Sequence, residues 1–173
     1  MSAVTQLLVD AFDRVREVVN EVLTDLPPEH LDVRVDPDAN PIGWLVWHLT
    51  RVQDDHVAHV AGRAQAWTED GWAERFALDL PTEDLGYGHS SDDVARVRGL
   101  SVEALLGYHD AVHARTIAYV DTLADDDLER VVDRAWDPPV TLGVRLVSVV
   151  SDDLQHAGQA AFLAGVLARG GMR

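Results

Sequence analysis

Residues 141–170 read TLGVRLVSVVSDDLQHAGQAAFLAGVLARG, an apolar stretch that is interrupted by a short polar segment. Apolar residues recur every three or four positions on both sides of the interruption, which predicts one long helix that has Thr141 as its N-cap and ends near Gly170. Asp152 and His156 lie four residues apart, so their side chains share one face of this helix. An acid on the apolar side of a helix needs an explanation, because burying an uncompensated charge is costly.

The same periodicity predicts three further helices upstream. The first covers VTQLLVDAFDRVREVVNEVL and stops at a Pro-Pro pair. The second covers NPIGWLVWHLTRVQDDHVAHVAGRA, with Asn40 as N-cap and Pro41 in the first helical position. The third covers SVEALLGYHDAVHARTIAYVDTL and is capped by Ser101. No period-two strand pattern is evident, so we predict an all-α protein, a four-helix bundle in which residues 1–173 form a single domain.

Two connections in this bundle have a distinctive composition. The segment from about residue 67 to 95 is rich in Trp, Gly, Pro and acidic residues. A loop of this length is uncommon in a compact domain and is often functional. We expect its aromatic residues either to cover a pocket or partner surface, or to pack into the core: Trp67, Trp72, Phe76 and Tyr87. The acidic ADDDLERVVD that precedes the last helix is expected to form a short helix.

The composition narrows the function classes. A formal net charge of −16 repels nucleic-acid phosphates, so we expect no nucleic-acid partner. The chain has no cysteine, which leaves His, Asp, Glu and water as metal ligands. No signal peptide or membrane-spanning run is evident, so a cytoplasmic protein without a membrane partner is expected. All 14 basic residues are Arg, and Ala, Val, Asp and Gly are abundant, which indicates a GC-rich bacterial genome.

Three residues form a candidate metal site. Asp152 and His156 lie on one face of the last helix, and a carboxylate and an imidazole both bind Zn²⁺ or Ni²⁺. His48 lies on an apolar stripe of the second helix, between Trp44 and Val52. Helix bundles build metal sites from side chains on facing helices. Three protein ligands with one open position are typical of a catalytic metal site.

Spacing alone leaves other histidine groups open. His109 and His113 lie four residues apart on the inner stripe of the third helix, and His-x-x-x-His is a common metal-binding pair. Asp55, His56 and His59 form a further group beyond His48 on the second helix. A core histidine that is hydrogen-bonded to a neighbour would explain any single one of these positions without a metal.

The segments NPIGWLVWHLTRVQDDHV and DDLQHAGQ together resemble the DinB-like (DUF664) superfamily. That superfamily includes mycothiol-dependent maleylpyruvate isomerase, the mycothiol and bacillithiol S-transferases and the YfiT-like hydrolases. The likeness extends to the order and length of the helices over nearly the whole chain. It implies an up-down-down-up four-helix bundle that holds a divalent metal.

The resemblance selects among the histidines. His48 matches the single family ligand on the second helix, and Asp152 and His156 match the pair on the last helix. The family usually has His or Glu where Asp152 stands, and often Arg where Ala157 stands. The shorter Asp remains a suitable metal ligand. The remaining candidates then become residues that line a pocket: Trp44, Val52, His56, His109, His113 and Gln159.

The resemblance also implies a reaction class. Family members use the metal to activate a low-molecular-weight thiol that attacks an electrophile; in this chain we expect the metal to be Zn²⁺ or alternatively Ni²⁺. In a GC-rich actinobacterium this thiol would be mycothiol, and the outcome would be S-transfer or cis-trans isomerisation. Two alternatives stay open: a hydrolase in which Asp55 or Asp153 is the general base, and a stress-related metal-binding bundle without activity. Many bundles of this superfamily are homodimers.

Overall fold

A computed structural model describes residues 2–170 and has seven α-helices and one two-stranded sheet in that range. The helices are α1 (Ala3–Thr24), α2 (Ile42–Ala61), α3 (Ala66–Glu69), α4 (Trp72–Phe76), α5 (Ser91–Val94), α6 (Val102–Val120) and α7 (Leu142–Ala168). Two 3₁₀ turns and two strands complete the described elements: Pro28–His30, Asp125–Glu129, β1 (Val131–Asp133) and β2 (Val140–Thr141). In this range no helix is both long and apolar enough to cross a bilayer.

The four long helices α1, α2, α6 and α7 form the predicted bundle. Each of α1 and α2 packs against both α6 and α7. Side-chain pairs fix the directions. Arg16 on α1 bonds Asp110 on α6, while Asp13 bonds His113, so these helices run antiparallel. Gln53 on α2 donates to Thr116 and Thr50 bonds His109, so α2 and α6 run parallel.

The direction of α7 completes the topology. Arg145, near its start, contacts His56 near the end of α2, while His156 faces His48 near the start of α2. The helices α2 and α7 are therefore antiparallel. The order is up-down-down-up, as the family resemblance implies.

The caps of α6 and α7 agree with the sequence analysis, and that of α2 does not. The hydroxyls of Ser101 and Thr141 accept from backbone N–H groups three residues later. At α2, however, the prediction of Asn40 as N-cap was wrong. Pro41 is itself the cap residue, in an extended conformation and without a side-chain bond, and the helix begins at Ile42.

The crossover from α2 to α6 is more ordered than the loop predicted for about residues 67–95. It contains α3, α4 and α5. The Asp54 carboxyl group accepts from the backbone N–H groups of Ala66 and Trp67, which starts α3. Trp67, Trp72 and Phe76 pack against Tyr108 of α6 with ring centroids 5.2–5.7 Å away. These three aromatic residues therefore pack into the core and do not cover a pocket or a partner surface.

The sequence analysis missed a small antiparallel hairpin before α7. Its strands β1 and β2 pair Val131 with Thr141 across an irregular register. They have three and two residues, too few to show a period of two in the sequence. The expected short helix in ADDDLERVVD is a 3₁₀ turn, Asp125–Glu129, which then leads into β1.

The polar side chain of His109 lies in the bundle interior at 1% exposure. The Thr50 hydroxyl donates to the carbonyl of Val46, so His109 Nδ1 must donate to that hydroxyl oxygen, 3.1 Å away. Its Nε2 is buried without a hydrogen-bond partner. Burial lowers the pKa of His109 from 6.5 to about 3. His109 is therefore a neutral core residue.

We predict that His109 makes the fold sensitive to acid. Below pH 6.5 the unfolded chain binds a proton that the folded chain takes up only near pH 3, so stability falls as the pH falls through this window. The slope approaches about 1.4 kcal/mol per pH unit for one such group. In urea unfolding at pH 7 and pH 5, His109→Gln should lose less stability on acidification than the wild type. His59→Gln is the control and should behave like the wild type, because His59 is an exposed histidine that forms no ion pair with the described residues.

Candidate metal centre

The structure brings together three side chains from α2 and α7. His48 contributes from α2, and Asp152 and His156 contribute from adjacent turns of α7. His48 Nε2 lies 4.0 Å from one Asp152 oxygen, and His156 Nε2 lies 3.8 Å from the other. One potential ligand atom from each residue lies within 4.8 Å of the others. In the described part of the chain this is the only group of three or more such residues with this proximity.

His48 is held in a fixed orientation. Its Nδ1–H donates to the backbone carbonyl of Leu85, so in the neutral ring the lone pair is on Nε2, which faces Asp152. The indole of Trp44 stacks on the imidazole, with centroids 4.6 Å apart and planes 16° from parallel. Burial lowers the pKa of His48, since the side chain is only 3% exposed. A neutral imidazole whose second nitrogen is anchored to a carbonyl is suited to bind a metal.

The other two residues also meet the requirements of a cation site. The side-chain oxygen of Gln159 accepts from His156 Nδ1 at 2.9 Å, which leaves Nε2 directed to the group. Asp152 Oδ2 is buried and has no hydrogen-bond partner. A buried polar oxygen without a partner is destabilising, and a cation at this position would offset that cost. These residues therefore fit a divalent metal.

The segment 84–89 of the crossover covers the back of His48. At Gly86 φ is +92°, and a Cβ there would lie 2.8 Å from His48 Nδ1 and 3.0 Å from Trp44. His89 accepts from the Trp44 indole N–H and bonds Asp84 through its other nitrogen. The close approach thus requires glycine for both its backbone conformation and its lack of a side chain.

Tyr87 lies at the exposed side of the group. Its ring meets the His48 ring edge-on at 5.2 Å between centroids, and 56% of the residue is exposed. Burial of part of the ring, with the nearby carboxyl group of Asp152, raises the pKa of Tyr87 to about 12. Tyr87 therefore keeps its proton at neutral pH and can donate a hydrogen bond. It is the one aromatic residue singled out in the crossover that contacts the candidate site.

Arg51 ties this segment to α2, a role that helical periodicity did not reveal. Its guanidinium is fully buried and donates to the carbonyls of Thr82 and Asp84 and to the side chain of Gln65. It also lies over the Trp67 ring, 4.7 Å from the centroid. Since Leu85 follows directly, Arg51 positions the carbonyl that orients His48. A charged residue on a buried helix face was the available signal.

Two of the remaining predicted pocket residues lie along α2. Val52 is buried one turn after His48. His56 lies two turns beyond His48, 3.5 Å from both Asp55 and Arg145, and burial lowers its pKa.

The two candidates on α6 make contacts elsewhere. His109 contacts Thr50 in the core, and His113 forms its ion pair with Asp13 at the surface. Neither belongs to the group around Asp152.

The two proposed general bases differ in environment. Asp153 is fully buried, and neither of its side-chain oxygens has a hydrogen-bond partner. Burial raises the pKa of Asp153 well above 3.8, and a fully buried carboxyl group is not accessible to a water molecule. Asp55 is partly exposed and accepts from Gln65 at 2.7 Å.

We predict that Gly86→Ala disturbs the His48 site specifically. The new methyl group would displace the segment that orients His48, so Zn²⁺ affinity should fall by about tenfold or more, as expected when an orienting partner is lost. Gly88→Ala is the matched control, because Gly88 also has a positive φ but a Cβ there would meet no atom within 4 Å. Competition with a chromogenic chelator measures both affinities, and equal losses would show that backbone strain alone is responsible.

Comparisons with known proteins agree with this architecture. A solved crystal structure, described as the conserved protein of a locus from Enterococcus faecalis, superposes with a TM-score of 0.88 and 33% sequence identity. The match covers 95% of this chain and 96% of that one. None of the curated proteins matches the chain. The family model described as the DinB superfamily matches residues 11–160. The chain therefore belongs to the DinB superfamily, whose members are metal-binding proteins.

Proposed function

We propose that this protein is a divalent-metal-dependent transferase or isomerase that uses a low-molecular-weight thiol. His48, Asp152 and His156 would hold the metal. The observation that carries the proposal is the convergence of their three ligand atoms within 4.8 Å, with one buried Asp152 oxygen left without a partner. Three protein ligands leave a coordination position free for a small molecule.

The donor set favours Zn²⁺ over other divalent metals. Two imidazoles and one carboxyl group form a borderline, nitrogen-rich set that suits Zn²⁺, with Ni²⁺ as the alternative. Mg²⁺ and Ca²⁺ prefer all-oxygen sites, so the two histidines disfavour them.

The thiol must come from outside, because the chain has no cysteine. A divalent ion bound here would lower the pKa of a thiol or water molecule in the free position. Leu85 and Gln159 would orient the two metal-binding histidines, His48 and His156. Tyr87 would donate a hydrogen bond to a reactant at the open side of the site. We propose mycothiol as the thiol and a small electrophile as its partner, on the strength of the family resemblance.

The hydrolase alternative uses the same three residues with water in place of the thiol. It requires a general base beside the site. Asp153 is fully buried, and Asp55 already accepts a hydrogen bond from Gln65, so neither is well placed as that base. This disfavours hydrolysis, while a stress-related metal-binding protein without activity remains the second candidate. We also propose a cytoplasmic location and, from the family resemblance, a homodimer.

We predict that the purified wild type binds about one equivalent of Zn²⁺ and that His48→Ala and His156→Ala each weaken binding by at least about tenfold, because two ligands hold the ion far less tightly than three. His113→Ala is the matched control, since it removes a histidine at a distant surface ion pair. Elemental analysis after dialysis against a competing chelator reports the stoichiometry. A full metal equivalent in both ligand variants would refute the assignment.

We predict thiol-dependent turnover for the metal-loaded protein. With mycothiol and chlorodinitrobenzene, the thiol sulfur should replace chloride on the aromatic carbon, and chloride should leave with the bonding electrons. Absorbance of the S-conjugate measures the rate, and His48→Ala should abolish the enzymatic part because it removes a metal ligand. Turnover of a labile ester at the same rate with and without thiol would support hydrolysis. A metal-loaded protein inactive in both assays would favour the non-catalytic candidate.

A further inference from the structure

A groove of about 700 Å³ runs along α7 beside the candidate metal centre. The second half of α7 forms one wall, and the other wall is formed by the start of α2 and the segment that precedes it. A volume of this size is typical of pockets that bind small molecules. None of the three candidate metal ligands lines the groove, but Gln159, which contacts one of them, does.

The lining of the groove is mainly apolar. Leu45 and Leu163 line it as buried residues, whereas Leu154 is 42% exposed and Phe162 is 70% exposed. A ligand with an apolar segment would remove some of this exposed apolar surface from water, which is favourable. Within residues 2–170 no basic side chain lines the groove, and Asp38 gives it one negative charge.

Gly158 lines the same groove and keeps it open. It lies in the interior of α7, where glycine is unfavourable relative to alanine. A Cβ at this position would meet no atom within 4 Å, so packing inside the protein does not require glycine here. A larger side chain would instead take up part of the groove, which gives the missing side chain a role in binding.

Three carboxamide side chains supply uncharged polar groups to the groove: Asn40, Gln155 and Gln159. Asn40 does not cap α2, so its carboxamide is left for other partners. Gln155 donates from Nε2 to Ser151, which leaves its side-chain oxygen as an acceptor. Gln159 accepts from His156 through its oxygen, which leaves its Nε2 as a donor. The groove therefore offers both donors and acceptors.

Gln159 connects the groove with the metal centre. Its oxygen accepts from His156 Nδ1 at 2.9 Å, and Nε2 of the same imidazole lies 3.8 Å from an Asp152 oxygen. One amide group and one imidazole ring therefore separate a molecule in the groove from the candidate metal position.

From these observations we infer that the groove binds the non-reacting part of a small molecule whose reactive group lies at the metal. The inference rests on the proposed function for the reactive group alone. The part that fits is uncharged: an apolar segment contacts Leu154 and Phe162, and hydroxyl or amide groups, which both donate and accept, contact the carboxamides. Asp38 and the net charge of −16 disfavour a negatively charged ligand.

Two glycosides that differ in a single group test the inference. Hexyl β-D-glucoside is neutral, whereas hexyl β-D-glucuronide has a carboxylate in place of the hydroxymethyl group. Isothermal titration calorimetry with the purified full-length protein should give the glucoside a Kd of about 1 mM or lower. The glucuronide should bind at least about tenfold more weakly, because its charge is repelled.

Variants of the lining locate the binding. Gly158→Leu should weaken binding of hexyl glucoside by at least about tenfold, because the new side chain takes up space in the groove, while the melting temperature should not fall. Asn40→Ala should weaken it by about threefold to tenfold, since one uncharged hydrogen bond is lost. Ala118→Leu is the matched control: it adds the same side chain at an exposed position of α6 outside the groove.

Paramagnetic relaxation checks the connection to the metal centre. With Co²⁺ in place of Zn²⁺, the proton signals of hexyl glucoside should broaden with the wild type and stay sharp with Gly158→Leu. A glucoside that binds the Co²⁺-loaded wild type without broadening would overturn the connection.

Other results would overturn the groove itself. They are no binding of the glucoside to the wild type at about 10 mM, as would follow if a protein partner covered the groove, equal binding of the two glycosides, and unchanged binding by Gly158→Leu. Calorimetry needs neither turnover nor a thiol. A protein that binds the glucoside as expected but shows no thiol-dependent turnover would therefore contradict the proposed function and leave the groove as a binding site.

Discussion

The burial of His48 between α2 and α7 is the constraint on which the rest of the site depends. Burying an imidazole to 3% exposure is costly for the fold unless its nitrogens find partners that replace their hydration. In the crossover, the Leu85 carbonyl accepts the hydrogen bond from Nδ1. The polar segment of α7 brings Asp152 and His156 to the Nε2 side. His48 is thus both a buried packing residue and a member of the candidate metal site.

The sequence was sufficient to predict the bundle because its helices have strong periodicity and clear ends. Ser101 and Thr141 cap the helices where expected, since a cap is a local interaction between residues three positions apart. Pro41 shows where prediction from sequence fails. Whether a residue is the cap or the first helical residue depends on a backbone angle that a sequence pattern does not specify. The strands β1 and β2 are shorter than any period that could reveal them.

The grouping of His48 with Asp152 and His156 came from the resemblance, whereas spacing alone favoured His109 and His113 equally. In the structure, His109 and His113 both lie away from Asp152. His109 contacts Thr50 in the core, and His113 contacts Asp13 at the surface. The contacts of Arg51 could not be predicted from sequence, because they include backbone carbonyls more than thirty residues away. Every residue type has a backbone carbonyl, so the identity of the accepting residue gives no indication of such a contact.

Those backbone contacts have a consequence for how the protein can diverge. The crossover reaches α2 and the candidate site largely through the carbonyl oxygens of Thr82, Asp84 and Leu85, and any amino acid supplies a carbonyl. Three residues of the segment are constrained by more than their carbonyl groups: Gly86 by its close approach, and Asp84 and His89 by their side-chain hydrogen bonds. The other positions can exchange side chains while the orientation of His48 persists. Substitutions at Tyr87 can then change the exposed side of the candidate site without disturbing the residues beneath, so this surface and the scaffold can evolve separately.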